Sequence, residues 1–245
     1  MSAAKFIEGL VAAMGADAGV VERSGTTAVA DVSRAGTRRV GWYQIQGHTL
    51  LPCDPDVLQS VEGLSHASVL LSDTDFRLWV DGNGGSVVGQ AVMMVAGAAG
   101  LQLVPPVAGV HLLDWSAKAD LELMQAFVDT CEASDLDEAE VDMDDLDDAA
   151  IALLTDDGAI GAYASSRPFE DELPFGDIGI LTSPRQRNRG WGSLAVSALV
   201  RDVLMPRGID PLYRCDPANV GSHRLSAALG FEIVASLTVA ELPGT

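Results

Sequence analysis

Residues 3–14 place apolar side chains at Phe6, Leu10, Val11 and Met14, the spacing of one helix face, so the chain is expected to begin with an amphipathic helix. Apolar alternation over 26–32 and 40–46 reads as two strands, the second turning at Gly47 into a short strand over 48–51. Pro55 suits the first turn of a helix over 54–61, where its missing N–H costs nothing. Runs at 68–71 and 76–80 read as strands, and Gly82-Asn83-Gly84-Gly85 breaks the pattern before an apolar stretch at 87–95 that is expected to be helical. A strand over 101–104 stops at Pro105-Pro106, the preferred division between an α/β domain over 1–108 and a second domain over 109–245.

The second half has the clearer punctuation. A strand at 110–113 leads to a helix at 120–131 with Leu121, Leu123, Met124, Phe127 and Val128 on its apolar side. Ten carboxylates and no basic residue fill 132–148, a run that usually marks a solvated face or mobile loop. Strands at 149–155 and 159–165 flank the turn Asp156-Asp157-Gly158, and another apolar run covers 177–182. A helix from Ser193 sets Ala195, Leu199 and Val203 on one face and ends at Met205-Pro206-Arg207-Gly208. A last helix ends at Leu229-Gly230, and Phe231 begins a closing strand.

Composition narrows the function classes. Thirty-five acids against fifteen basic residues give a formal charge of −20, and Lys5 and Lys118 are the only lysines. Such a field repels nucleic acid and anionic membranes and attracts cations. Genome bias or a salty habitat produces the same composition and carries more weight than a cationic substrate. The longest apolar stretch, around 91–104, is interrupted by Gly97, Gly100 and Gln102, so no membrane span is expected. The opening residues lack a secretory apolar segment, and three cysteines without metal-ligand spacing suit a reducing cytoplasm. His48, His66, His111 and His223 are scattered, each expected at the surface or in packing, and no metal site is expected.

One segment concentrates chemistry. Between the run 177–182 and the helix from Ser193 lie Arg185, Arg187, Asn188, Arg189, Gly190, Trp191 and Gly192. Strand, basic glycine turn and helix start together make an anion seat, because a helix N-terminus carries unpartnered N–H groups and partial positive charge. Gly190 and Gly192 allow close approach of backbone to an anion. Neither a Walker loop nor a Rossmann fingerprint is present.

The R-x-x-G-x-G spacing of Arg187, Gly190 and Gly192 resembles the pyrophosphate loop of the GNAT superfamily of acetyl-CoA-dependent N-acetyltransferases. Asn219, Ser222, Leu225, Gly230 and Phe231 match that family's closing pattern, and the hairpin 149–165 is similar to its central hairpin. The resemblance covers roughly 109–245. It implies a mixed, mostly antiparallel α/β (α+β) sheet flanked by helices, with 1–108 either a degenerate copy of the second half or a separate small α/β module. It also implies acetyl-CoA as co-substrate, no metal, and direct attack by a small-molecule or peptide amine.

Within that resemblance each step has candidates. Backbone amides of Arg187, Asn188, Arg189, Gly190, Trp191, Gly192 and Ser193, helped by the arginine side chains, would hold the pyrophosphate, with Asn219 toward the pantetheine arm and Ser222 a further coenzyme-binding position. Asn219 equally suits a helix N-cap. The main chain of Ile180, Leu181 and Thr182 matches the positions that stabilise the oxyanion. Asp177 is the candidate base, with a solvent-facing strand start as the equal alternative, and Glu170, Asp171 and Glu172 are runners-up. Many relatives carry a tyrosine acid where this chain has Ser226, a poor like-for-like donor, so Tyr213 or solvent would protonate the thiolate. Cys215 reads as a buried strand residue. The alternative is an acyl-CoA-binding or partner-binding module without efficient catalysis. A third reading puts the active part in 1–108.

Overall fold

Gln46 and Gly47 both take positive φ (49° and 82°), the two-residue turn whose twist suits a hairpin, and through it β2 (Arg39–Ile45) folds back on β3 (His48–Cys53). The computed structural model describes residues 3–147, 149–169 and 173–244. The chain forms two compact units. One runs to Val95 and also takes Cys215–Asn219 and the chain from Ile233 on; Ala96–Arg214 and Val220–Glu232 form the other. The first unit therefore ends before the Pro105-Pro106 break at which the sequence suggests a division.

The first unit contains α1 (Ala3–Ala13), β1 (Gly25–Ala30), β2, β3, α2 (Leu58–Glu62), α3 (Asp73–Gly82) and β4 (Ser86–Ala96). Most of β10 (Phe231–Glu241) also belongs to it, and the strand order is β1-β3-β2-β10-β4. β1 is parallel to β3, and β10 runs antiparallel to β2 from Ala235↔Ile45 to Glu241↔Arg39. Val40, Trp42, Leu51, Val57, Val61, Phe76, Val80 and Ala240 form a buried core here.

Four expected elements differ. Residues 76–80 lie in helix α3, not a strand: Ser72 caps it by accepting from the Asp75 amide, Asp73 and Asp75 occupy the first turn, and Phe76 and Val80 are buried four residues apart. Residues 87–95 lie in strand β4, not a helix; a run rich in Val is stiff at χ1 and fits a pleated surface. Residues 68–71 form no strand, because Leu71 is held by side chains instead. Its carbonyl accepts from Trp42 Nε1 (2.8 Å) and Thr49 Oγ1 (3.2 Å), and its amide donates to Thr26 Oγ1 (2.9 Å). Residues 101–104 are likewise irregular, the Val104 amide donating to Ser197 Oγ and its carbonyl accepting from Arg201.

In the second unit β5 (Val110–Leu112), β6 (Ala149–Leu154), β7 (Ile160–Pro168) and β8 (Phe175–Thr182) are successively antiparallel, and β9 (Asp210–Cys215) is parallel to β8. Helices α4 (Lys118–Val128), α5 (Ala133–Glu138), α6 (Trp191–Ala198) and α7 (Val220–Ala228) accompany this sheet. The result is the mixed, mostly antiparallel sheet flanked by helices that the resemblance implies. Met124, Phe127, Ala150, Ile160, Tyr163 and Leu181 lie in its core. The helical path of α6 continues through a π turn, Leu199–Leu204, and closes at Gly208, whose φ is +71°. Gly230 ends the α7 segment in the same way at φ +81°. Among the described residues no helix is long and apolar enough to cross a membrane.

The indole of Trp191 rests directly on Gly161 of β7. A Cβ there would overlap the six-membered ring of Trp191, so Gly161→Ala must displace that ring, which belongs to the first residue of α6. The expected cost is about 1–3 kcal/mol, as for other overpacked sites, read as a lowered midpoint in thermal denaturation.

Candidate functional site

The parallel register of β8 and β9 runs from Phe175↔Asp210 to Ile178↔Tyr213 and stops, although β8 continues to Thr182. Backbone groups of successive strand residues point to opposite edges. The Ser183 amide donates to the Gly161 carbonyl on the β7 side (3.0 Å), so Leu181 shares that direction while Ile180 and Thr182 point their N–H and C=O to the β9 side. That edge is where pairing with β9 has ended. Of the three expected oxyanion positions, Ile180 and Thr182 thus have the useful direction and Leu181 does not.

Directly after β8 the chain turns through Pro184–Gln186, and Asn188 (φ +60°) and Gly190 (φ +79°) adopt the left-handed conformation. Gly190 is the N-cap of α6 and supplies no side-chain cap. Its carbonyl accepts the first helical bond, from the Leu194 amide at 3.1 Å. The amides of Trp191, Gly192 and Ser193 therefore open the helix without intrahelical acceptors, at its positive end. Arg187, Asn188, Arg189 and Gly190 are exposed, and Trp191 and Ser193 are half-buried.

The two glycines have different jobs. Gly190 supplies a positive φ in open space, whereas Gly192 is buried, its absent Cβ leaving room for Leu225 of α7 (2.7 Å), Thr182 (3.3 Å) and Ile180 (3.8 Å). Gly192 thus seats the helix start against the free end of β8. The packing role is additional to the expected one, since the Gly192 amide still opens the helix without an intrahelical acceptor.

Arg187 also departs from expectation. Its Nη2 pairs with Asp135 Oδ2 of α5 at 2.6 Å, and its Nε points to the Thr182 carbonyl at 3.4 Å. Over its described part, 132–147, the run of acids is a solvated face, with Glu132, Asp137, Glu138, Glu140, Asp142, Asp144 and Asp145 exposed. Only 133–138 form α5, the rest being turns and irregular chain, and Leu136, Val141 and Met143 pack onto the core. Three of its members meet arginines: Asp135 with Arg187, Glu140 with Arg214 (3.6 Å), and Asp147 with Arg167 (2.7 Å).

Asp177 stands opposite Arg167 on β7 and Leu212 on β9, two residues inside β8 rather than at its opening. It is 7% exposed, which removes the solvent-facing alternative. Arg214 Nε donates to Oδ2 at 2.6 Å, and Oδ1 has no hydrogen-bond partner among the described residues. Burial pushes the carboxyl above its ordinary range, opposed by the adjacent Arg214. Glu170, Asp171 and Glu172 lie outside the described residues.

The proton-donor candidates are core residues. Tyr213 is 1% exposed with its ring against Phe231 (centroids 5.5 Å apart), and Ser226 is equally buried, its hydroxyl donating to the His223 carbonyl at 3.1 Å. Asn219 immediately precedes α7, the N-cap position, and falls in the first unit; Ser222 is half-buried on α7. Cys215 is half-buried rather than buried. His223 Nε2 is sealed from solvent without a partner among the described residues, a feature the scattered histidine pattern gave no sign of. No group of three or more metal-ligating side chains gathers among the described residues.

The FR47-like protein family matches residues 172–239, the stretch from β8 to β10. A GNAT-family acetyltransferase from Colwellia psychrerythraea aligns at TM-score 0.51 and 12% identity, covering 83% of this chain and 81% of that one. A GNAT-family acetyltransferase structure from Novosphingobium aromaticivorans gives TM-score 0.49 at 20% identity (66% and 69% covered). A GCN5-related N-acetyltransferase from Sphaerobacter thermophilus gives 0.48 at 14% identity (84% and 78%). A search of curated proteins finds no match. The resemblance to the GNAT superfamily read from the motifs is supported by both the family match and the fold.

Proposed function

We propose, from a chain with the GNAT acetyltransferase fold, that it binds acetyl-CoA and transfers the acetyl group to an amine. The observation that carries this reading is the junction of β8 and α6. There the strand outruns its parallel partner at Ile178, and a helix without a side-chain cap starts on left-handed Gly190. The amides of Trp191, Gly192 and Ser193 suit the diphosphate of the coenzyme, and the fit rests on their lack of intrahelical acceptors. The edge amides of Ile180 and Thr182 suit the acyl carbonyl, whose oxygen gains negative charge on attack.

Asp177 is the proposed base. A protonated amine has no lone pair, and a carboxyl pushed upward by burial takes a proton more readily than an exposed one. Its sealed position means that the proton reaches it through water or a small opening of the strand pair. Tyr213 and Ser226 lie in the core, so solvent protonates the departing thiolate in this reading. A coenzyme-binding protein without efficient turnover is the second reading, favoured by those same buried side chains.

Calorimetric titration with CoA tests the binding claim, and release of free thiol from acetyl-CoA across a broad amine panel tests transfer. The expected results are a saturable 1:1 isotherm and thiol release with at least one amine. Binding without release supports the second reading, and no binding refutes both.

A further inference from the structure

We propose that Asp135 is a latch on Arg187 that an anionic ligand at the α6 N-terminus has to displace. The inference rests on the coenzyme-binding reading and adds to it a built-in restraint on affinity. Arg187 lies in the same turn as Arg189, three residues before Gly190, and is the arginine of that turn that the protein ties to a carboxylate beside the amides of Trp191–Ser193. Its Nη2 is taken by Asp135 at 2.6 Å and its Nε faces the Thr182 carbonyl. The pair is only partly screened: the Asp135 side chain is 22% exposed and that of Arg187 is 42% exposed.

The latch cannot swing far away. Asp135 lies within α5, where its carbonyl accepts from the Ala139 amide, and the neighbouring Leu136 is anchored in the core. Its carboxylate therefore stays close while an anion arrives, neutralising the arginine and repelling the newcomer. The same helix holds Asp137 and Glu138, and 140–147 adds Asp142, Asp144 and Asp145 beside the arginine-paired Glu140 and Asp147, so acids outnumber the arginines that meet them and the net field on this side opposes phosphate. Restraint by a fixed carboxylate makes a definite prediction, because its removal strengthens ligand binding, whereas removal of a residue that merely orients Arg187 weakens it.

The test is calorimetry with CoA on the full chain and three variants: Asp135→Asn, Arg187→Ala and the double variant. Asp137→Asn is a control for simple loss of one negative charge, and circular dichroism checks that each variant is folded. Asp135→Asn is expected to bind CoA about two- to fivefold more tightly, the range an incompletely screened pair supports, and more than Asp137→Asn does. The gain is expected to vanish in the Arg187→Ala background, since the latch acts through that guanidinium. Hydrogen exchange supplies a second readout, with amides of 135–141 expected to exchange faster in the wild type when CoA is added. CoA binding by the wild type with equal or weaker binding by Asp135→Asn overturns the latch and leaves the coenzyme reading standing. Failure of wild type and variant alike to bind CoA removes the reading and the latch together.

Discussion

Exchange of Arg214 for leucine is expected to destabilise the protein by about 3 kcal/mol near neutral pH, the low end for breaking a buried pair because the Arg214 side chain is 30% exposed. The loss comes from what stays behind. Asp177 is 7% exposed with Oδ1 already unpartnered, and without Arg214 its carboxylate has neither Oδ2 bond nor counter-charge from that side. Two further results follow. Asp177→Asn in the same background is expected to recover most of the loss, since a neutral amide carries no buried charge. Lower pH is expected to do the same: burial raises the folded-state pKa of Asp177, and losing Arg214 raises it further. A raised carboxyl means the folded state binds the extra proton, so its penalty is full above the folded pKa and disappears below the ordinary aspartate value. Urea denaturation of the single and double variants at neutral pH and near pH 4 measures both effects. A deficit that persists in the double variant would place the role of Arg214 in packing, such as its contact over Phe169 at 5.9 Å.

The second half of the chain was legible because its turns are chemically marked. Gly158, Gly190, Gly208 and Gly230 all take positive φ where the pattern breaks, so strand and helix limits could be read between them. The first half carries short apolar runs whose period does not separate strand from helix, so the pattern at 76–80 suggests a strand where α3 lies and that at 87–95 a helix where β4 lies. A local signal existed for the first: Ser72, accepting from the Asp75 amide, is a helix cap that outweighs the β-like Phe76–Val80 run. For the second, the concentration of Val was the better guide than length.

The site divides along the same line. Its local part, the helix start after β8, was visible because residues adjacent in sequence build it. Its long-range part was not. Asp135 meets Arg187 across 52 positions and Asp177 meets Arg214 across 37, and such pairs depend on the strand order rather than on any spacing. The end of β8–β9 pairing at Ile178 is equally hidden, being a divergence of two backbones with no residue signature. The packing role of Gly192 against Leu225 belongs here too, since it requires α7 to be in place.

The central claim is that main-chain amides at the start of α6 hold the coenzyme diphosphate, and one amide can be removed alone. The Ser193 N–H has no intrahelical acceptor, because the first helical bond is Leu194 to Gly190. Proline is tolerated in the first turn of a helix, so Ser193→Pro deletes that donor while Ser193→Ala deletes only the hydroxyl. A hydrogen bond to a charged phosphate contributes about 1.5–3 kcal/mol, about ten- to a hundredfold in affinity. The decisive measurement is CoA calorimetry on these two variants, with melting curves to confirm that both fold. The account predicts near wild-type binding for Ser193→Ala and a loss of at least about tenfold for Ser193→Pro. Equal affinity in the two folded variants would contradict it.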